Sequence, residues 1–118
     1  MNKMSKMHKI DEYRMETAMR ALGFRDNLCG TEMLRIAIRE YEPGMQITKE
    51  LYPMIAKRVG STPSRVERAM RHSIESAFDR GDPLIINGIF GYSMSPSKGK
   101  PTNWEFIGRM ARECAIED

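Results

Sequence analysis

Two helical patterns meet at Gly60, and the spacing around that glycine constrains the fold more than any other feature of the chain. On its N-terminal side, LYPMIAKRVG (51–60) is a short amphipathic segment. On its C-terminal side, STPSRVERAMRHSIESAFDR (61–80) is a longer one whose polar face is dominated by arginine. Two helices that cross closely need a small residue at the crossing, and Ala56 supplies it. Four residues on, Gly60 tolerates the positive φ that a tight turn requires. Thr62 as N-cap and Pro63 as first helical residue then start the second helix. Ile55, Val59, Val66 and Ala69 stand at offsets suited to pinning the pair together. Ser61 falls at a turn position that is commonly apolar, a mild departure. The spacing predicts a helix-turn-helix over about residues 49–80.

Placed on a wheel at about 100° per residue, the second helix divides into two faces. Val66, Ala69, Met70, Ile74 and Ala77 share the side expected to face a core. Ser64, Arg65, Arg68, Arg71, His72, Glu75 and Asp79 share the other, with the basic residues towards the N-terminus and the acidic ones following. A recognition helix enters the major groove of DNA by its N-terminal part, so this gradient has the required polarity. Arginine is also the side chain best suited to bidentate pairing with guanine O6 and N7. The plainer alternative is a solvated face of mixed charge. In that reading Arg68 and Glu75 are neighbours on adjacent turns, and Glu67 only complements the helix dipole. His72 suits either a contact to DNA or a simple surface position.

Elsewhere the chain reads as helices separated by turns, without convincing strand alternation. A first helix is expected over about residues 7–22, with Met15, Ala18, Met19 and Leu22 in register and Gly23 as terminator. A second is expected from Thr31 to about Tyr41, with Leu34, Ala37 and Ile38 on one side and Pro43-Gly44 closing it. Thr48 is a candidate N-cap for the third, although Pro53 favours a start nearer Tyr52. Asp82-Pro83 opens a short fifth helix, limited by Gly88 and Gly91. Residues 91–101 have the composition of a loop. Thr102 and Glu105 match a capping box opening a last helix that carries Phe106, Ile107, Met110 and Cys114 along one side. The fold class is therefore all-α: one compact domain, residues 1–118, of about six helices containing a helix-turn-helix.

At 118 residues with 41% hydrophobic and 30% charged side chains, the chain is sized for one domain with a real core. It has neither a membrane-length apolar run nor the apolar segment of a secretory signal, which points to a cytoplasmic protein without membrane contact. The net charge of +3 permits nucleic-acid binding without requiring it. Cys29 and Cys114 form no C-x-x-C pair, and with His8 and His72 they offer no zinc spacing. Both are expected as reduced thiols in or near the core. No metal, no cofactor and no catalytic constellation is expected, which argues against an enzyme.

Ser64-Arg65-Val66-Glu67-Arg68-Ala69 with Arg71-His72, Phe90-Gly91-Tyr92, and Lys100-Pro101-Thr102-Asn103 with Glu105-Phe106-Ile107 carry a resemblance. Together with Leu51-Tyr52-Pro53 and Ile55-Ala56-Lys57, they resemble the C-terminal effector domain of stage-zero sporulation protein A. That family comprises response regulators of entry into sporulation, and the resemblance runs over about residues 28–113. It implies six helices and recognition of a promoter box similar to T-G-N-C-G-A-A. It places base reading on Arg65, Glu67 and Arg68. Thr62, Ser64, Arg71, His72, Lys98 and Lys100 are expected in supporting or backbone contacts. It further implies head-to-tail self-association on tandem sites and a surface for RNA polymerase sigma factor at about residues 79–90.

The resemblance carries one departure. Family members normally place a phosphorylatable receiver ahead of this domain, whereas about 27 residues precede the matching region here, too few for one. An excised fragment and a stand-alone effector both fit, and neither is switched by aspartyl phosphorylation in cis. The expected function is a sequence-specific DNA-binding transcription regulator. The alternative is a receiverless interaction module that pairs with a full-length regulator and modulates it.

Overall fold

A computed structural model describes residues 9–91 and 99–116. Among these lie six α-helices and one minimal strand pair. Helix α1 (Glu12–Ala21) starts where Asp11 accepts the backbone N–H of Arg14 at 3.0 Å. It begins later than the pattern suggested, because Lys9–Ile10 is extended and forms strand β1. Met15, Met19 and Leu22 are buried, and Gly23 follows with positive φ.

Helix α2 (Cys29–Glu40) buries Leu34, Ala37 and Ile38 completely, while Tyr41 terminates it in an extended conformation. It starts two residues before Thr31. The Thr31 hydroxyl is not a cap; it donates to the Arg25 carbonyl at 2.8 Å. Cys29 is exposed at the first position of α2, so the expectation of two core thiols holds for Cys114 alone.

The decisive packing contact lies one residue further on. Gly30 is pressed against the longest helix, α4 (Pro63–Arg80). A Cβ on Gly30 would fall inside the envelope of the Ala69 carbonyl and 2.5 Å from Ser73 Oγ. The absence of a side chain thus lets two backbones meet. Ala69 therefore serves the α2 crossing, and it is only partly buried.

The third helix has an unusual entry. Residues Ile47–Leu51 form a wide π-helical turn, with Leu51 N–H reaching the Gln46 carbonyl at 3.2 Å. Thr48 does not cap it; Gln46 takes the cap position, and Glu50 Oε1 accepts the Gln46 N–H at 2.7 Å. Helix α3 (Tyr52–Val59) continues directly from this turn, with Tyr52 N–H bonded back to the Ile47 carbonyl and Pro53 at its second position. Ile55 and Ala56 are buried, but Val59 is 38% exposed. Val59 does not join the core that Ile55 and Ala56 share with Val66.

Helix α5 (Pro83–Phe90) is short, and helix α6 (Asn103–Glu113) carries the expected capping box with Thr102. Phe106, Ile107, Met110 and Cys114 are all fully buried. Phe24, Phe78, Phe90 and Phe106 form one aromatic cluster with ring centroids 5.1 to 6.3 Å apart. It ties α4, α5 and α6 to the loop after α1. Strand β2 (Ala115–Ile116) pairs antiparallel with β1, clasping the two ends of the domain, and Asp11 N–H extends the ladder to the Cys114 carbonyl at 2.7 Å. Two residues per strand are too few to show a period-2 pattern, so the sequence carried no sign of this clasp.

Two predictions test this packing. Gly30→Ala is expected to destabilise the fold by about 3 kcal/mol, the upper end of overpacking costs, read by urea denaturation. Burial pushes the Cys114 thiol up to about 11, so it stays protonated at neutral pH. Ellman's reagent is therefore expected to titrate Cys29 alone in the folded protein and both thiols after unfolding.

Candidate nucleic-acid interface

The turn between α3 and α4 has the geometry that its residues demand. Gly60 adopts the left-handed conformation at φ 70°. Its N–H bonds to the Ala56 carbonyl, and Ser61 N–H joins the same carbonyl at 2.8 Å. One carbonyl thus closes the end of α3 with two donors. Thr62, in extended conformation, accepts Arg65 N–H on its hydroxyl at 3.3 Å and opens α4. This is a helix-turn-helix whose second helix projects one face into solvent.

Val66, Met70, Ile74 and Ala77 are buried as the wheel required, and Ser73 and Phe78 join them. Thr62, Ser64, Arg65, Arg68, Arg71, His72 and Glu75 are exposed. Arg65, Arg68, His72 and Glu75 follow one another at three- and four-residue steps, which sets them along a single stripe. Neither Arg65 nor Arg68 has an ion pair among the described residues.

Glu67 is placed differently. It is half-buried on the flank of α4, and its carboxylate takes the guanidinium of Arg71 at 2.8 Å, one turn further on. Within α4 the described residues thus form the ion pair Glu67–Arg71. No acidic residue stands in the first turn of α4, so Glu67 is not a dipole partner there. Lys100 sits near the far end of the helix, with Nζ 2.8 Å from Asp79. Lys98 lies outside the described residues.

Glu67, Arg71 and Glu75 form one wall of a groove of about 1000 Å³. Its other sides are the Gln46–Lys49 turn and the segment Lys100–Trp104. At its base is a polar group that sequence reasoning missed. Asn103, 7% exposed, donates from Nδ2 to the Tyr52 hydroxyl at 2.9 Å and to the Glu67 carbonyl at 3.0 Å. Burial raises the Tyr52 pKa, so the hydroxyl stays protonated. One signal for Asn103 was present: it lies three and four residues before Phe106 and Ile107, a polar residue on an apolar stripe.

Residues 15–114 match the family described as sporulation initiation factor Spo0A C terminal. The chain belongs to that family. It is a DNA-binding sporulation effector domain, and its partner is double-stranded DNA. Among the described residues no cluster of His, Cys, Asp or Glu is arranged to hold a metal, and no helix is long and apolar enough to cross a membrane. Helix α5 leaves Leu84 82% exposed.

The integrity of the recognition helix depends on its cap. Thr62→Ala is expected to cost about 1 kcal/mol of stability, whereas Thr62→Ser is expected to be nearly neutral, by chemical denaturation.

Proposed function

We propose that α4 reads a short promoter box through Arg65, Glu67 and Arg68. The observation that supports it most is that Arg65 and Arg68 project from the N-terminal part of α4 without an ion-pair partner among the described residues. A guanidinium left free of protein acids keeps its whole donor fork for guanine O6 and N7. Glu67, steadied by Arg71, suits acceptance of a hydrogen bond from cytosine N4. The box that the family resemblance implies, similar to T-G-N-C-G-A-A, contains both kinds of base. Thr62, Ser64, Arg71 and His72 lie beside these base readers at exposed positions suited to phosphate contacts, and Lys98 and Lys100 complete the proposed backbone set.

In this reading two domains bind tandem boxes head to tail. The exposed α5, with Leu84 and Ile85 at the surface, is a contact for RNA polymerase sigma factor. The same apolar helix also supports a second reading, in which the domain acts chiefly through protein contacts with a full-length regulator.

Fluorescence anisotropy against duplexes with no box, one box and two tandem boxes separates these readings. Arg68→Ala is expected to lose about 1–3 kcal/mol at the cognate box and to relax one base position. Equal affinity of wild type for cognate and scrambled duplexes would reject base reading and favour the protein-contact reading. Lys100→Ala is expected to leave base preference intact and to reduce the salt slope by about 0.9 for one lost phosphate contact. An unchanged slope assigns Lys100 to its Asp79 ion pair alone.

A further inference from the structure

We infer that Asn103 is a positioning residue for base discrimination: from the start of α6 it holds the backbone at Glu67 and thereby sets where that carboxylate is presented. The inference rests on the proposed base-reading role of Glu67.

The geometry is specific. Each hydrogen of the Asn103 amide has its own acceptor, the Tyr52 hydroxyl at 2.9 Å and the Glu67 carbonyl at 3.0 Å. One side chain therefore joins the first turn of α6 to both helices of the helix-turn-helix. In a continuous helix the Glu67 carbonyl already accepts the N–H of Arg71, so Asn103 occupies its second lone pair. The amide cannot be turned over, because its oxygen would then face the Glu67 carbonyl, acceptor against acceptor. Two ties thus converge on Glu67: Asn103 on its main chain and Arg71 on its carboxylate at 2.8 Å.

The residue carries a cost as well as its two bonds. Asn103 Oδ1 is buried without a hydrogen-bond partner among the described residues, an arrangement that is costly. The position continues the apolar stripe of Phe106, Ile107 and Met110, where a leucine would remove that orphaned acceptor but leave the buried Tyr52 hydroxyl without the amide that donates to it. What leucine lacks is the pair of donors.

The test uses the whole chain. Asn103→Leu, Asn103→Asp, Glu67→Ala and the Glu67→Ala/Asn103→Leu double variant are titrated by anisotropy against the cognate box, single-base variants of it and a scrambled duplex. Circular dichroism melting accompanies each variant. If Asn103 acts through Glu67, Asn103→Leu reduces discrimination at the Glu67-dependent base about fivefold or more, a share of what one good base contact supplies. Affinity for scrambled DNA and the salt slope stay as in wild type, and the double variant discriminates no worse than Glu67→Ala. Asn103→Asp, close in size but unable to donate, reproduces the loss if the donors are what matter. Equal weakening on every duplex, or a further loss in the double variant, overturns the positioning role in favour of a structural one. Glu67-dependent discrimination that survives both Asn103 variants also overturns it. Discrimination indifferent to Glu67→Ala overturns the base-reading premise itself, a result distinct from the others.

Discussion

The backbone-to-backbone crossing of α2 on α4 at Gly30 is the constraint on which the rest of the structure depends. A side chain at that point would collide with the Ala69 carbonyl and Ser73, so the recognition helix is seated as deeply as main-chain atoms allow. Interiors are close-packed, and a seat of this kind fixes position in a way that apolar contact alone does not. With α4 held at its middle, its buried stripe of Val66, Met70, Ile74 and Ala77 commits the opposite face to solvent. The aromatic cluster of Phe24, Phe78, Phe90 and Phe106 then secures its C-terminal half.

The N-terminal half of α4, besides burying Val66 and Met70, is held by polar means. The Thr62 cap, the left-handed turn at Gly60 and the Asn103 bond to the Glu67 carbonyl bear on its first two turns. These are directional interactions, and direction is what a helix entering a groove must control. Side chains left beyond that frame divide into two sets. Arg65 and Arg68 face solvent unpaired among the described residues, while Glu67 and Arg71 hold one another. The surface is thus divided between a free cationic front and a preorganised acidic flank.

Much of this was legible in the chain because it is local. The Gly60 turn, the Thr62-Pro63 start, the Thr102–Glu105 capping box and the burial of Met15, Leu34, Ile74 and Phe106 each follow from neighbours within a turn or two. What escaped was either long-range or too short to have a period. The clasp of Lys9–Ile10 on Ala115–Ile116 joins opposite ends of the chain through two residues a side. Val59 fits an apolar offset, yet it stays outside the core and partly exposed, and Cys29 is hydrophobic in habit but exposed at a helix start. Asn103 stood on an apolar stripe as a visible anomaly, but its partners Tyr52 and Glu67 lie 51 and 36 residues away.

By itself, then, the sequence determined the six helices, the helix-turn-helix and the cationic polarity of the recognition helix, because caps, turns and apolar stripes act over a few residues. Only the tertiary structure decided that Gly30 seats that helix, that Glu67 belongs with Arg71, and that Lys100 reaches Asp79. It also decided that α6 fastens the helix-turn-helix through Asn103. These outcomes depend on which distant surfaces meet, and a one-dimensional pattern contains the side chains for such meetings but not the geometry that pairs them.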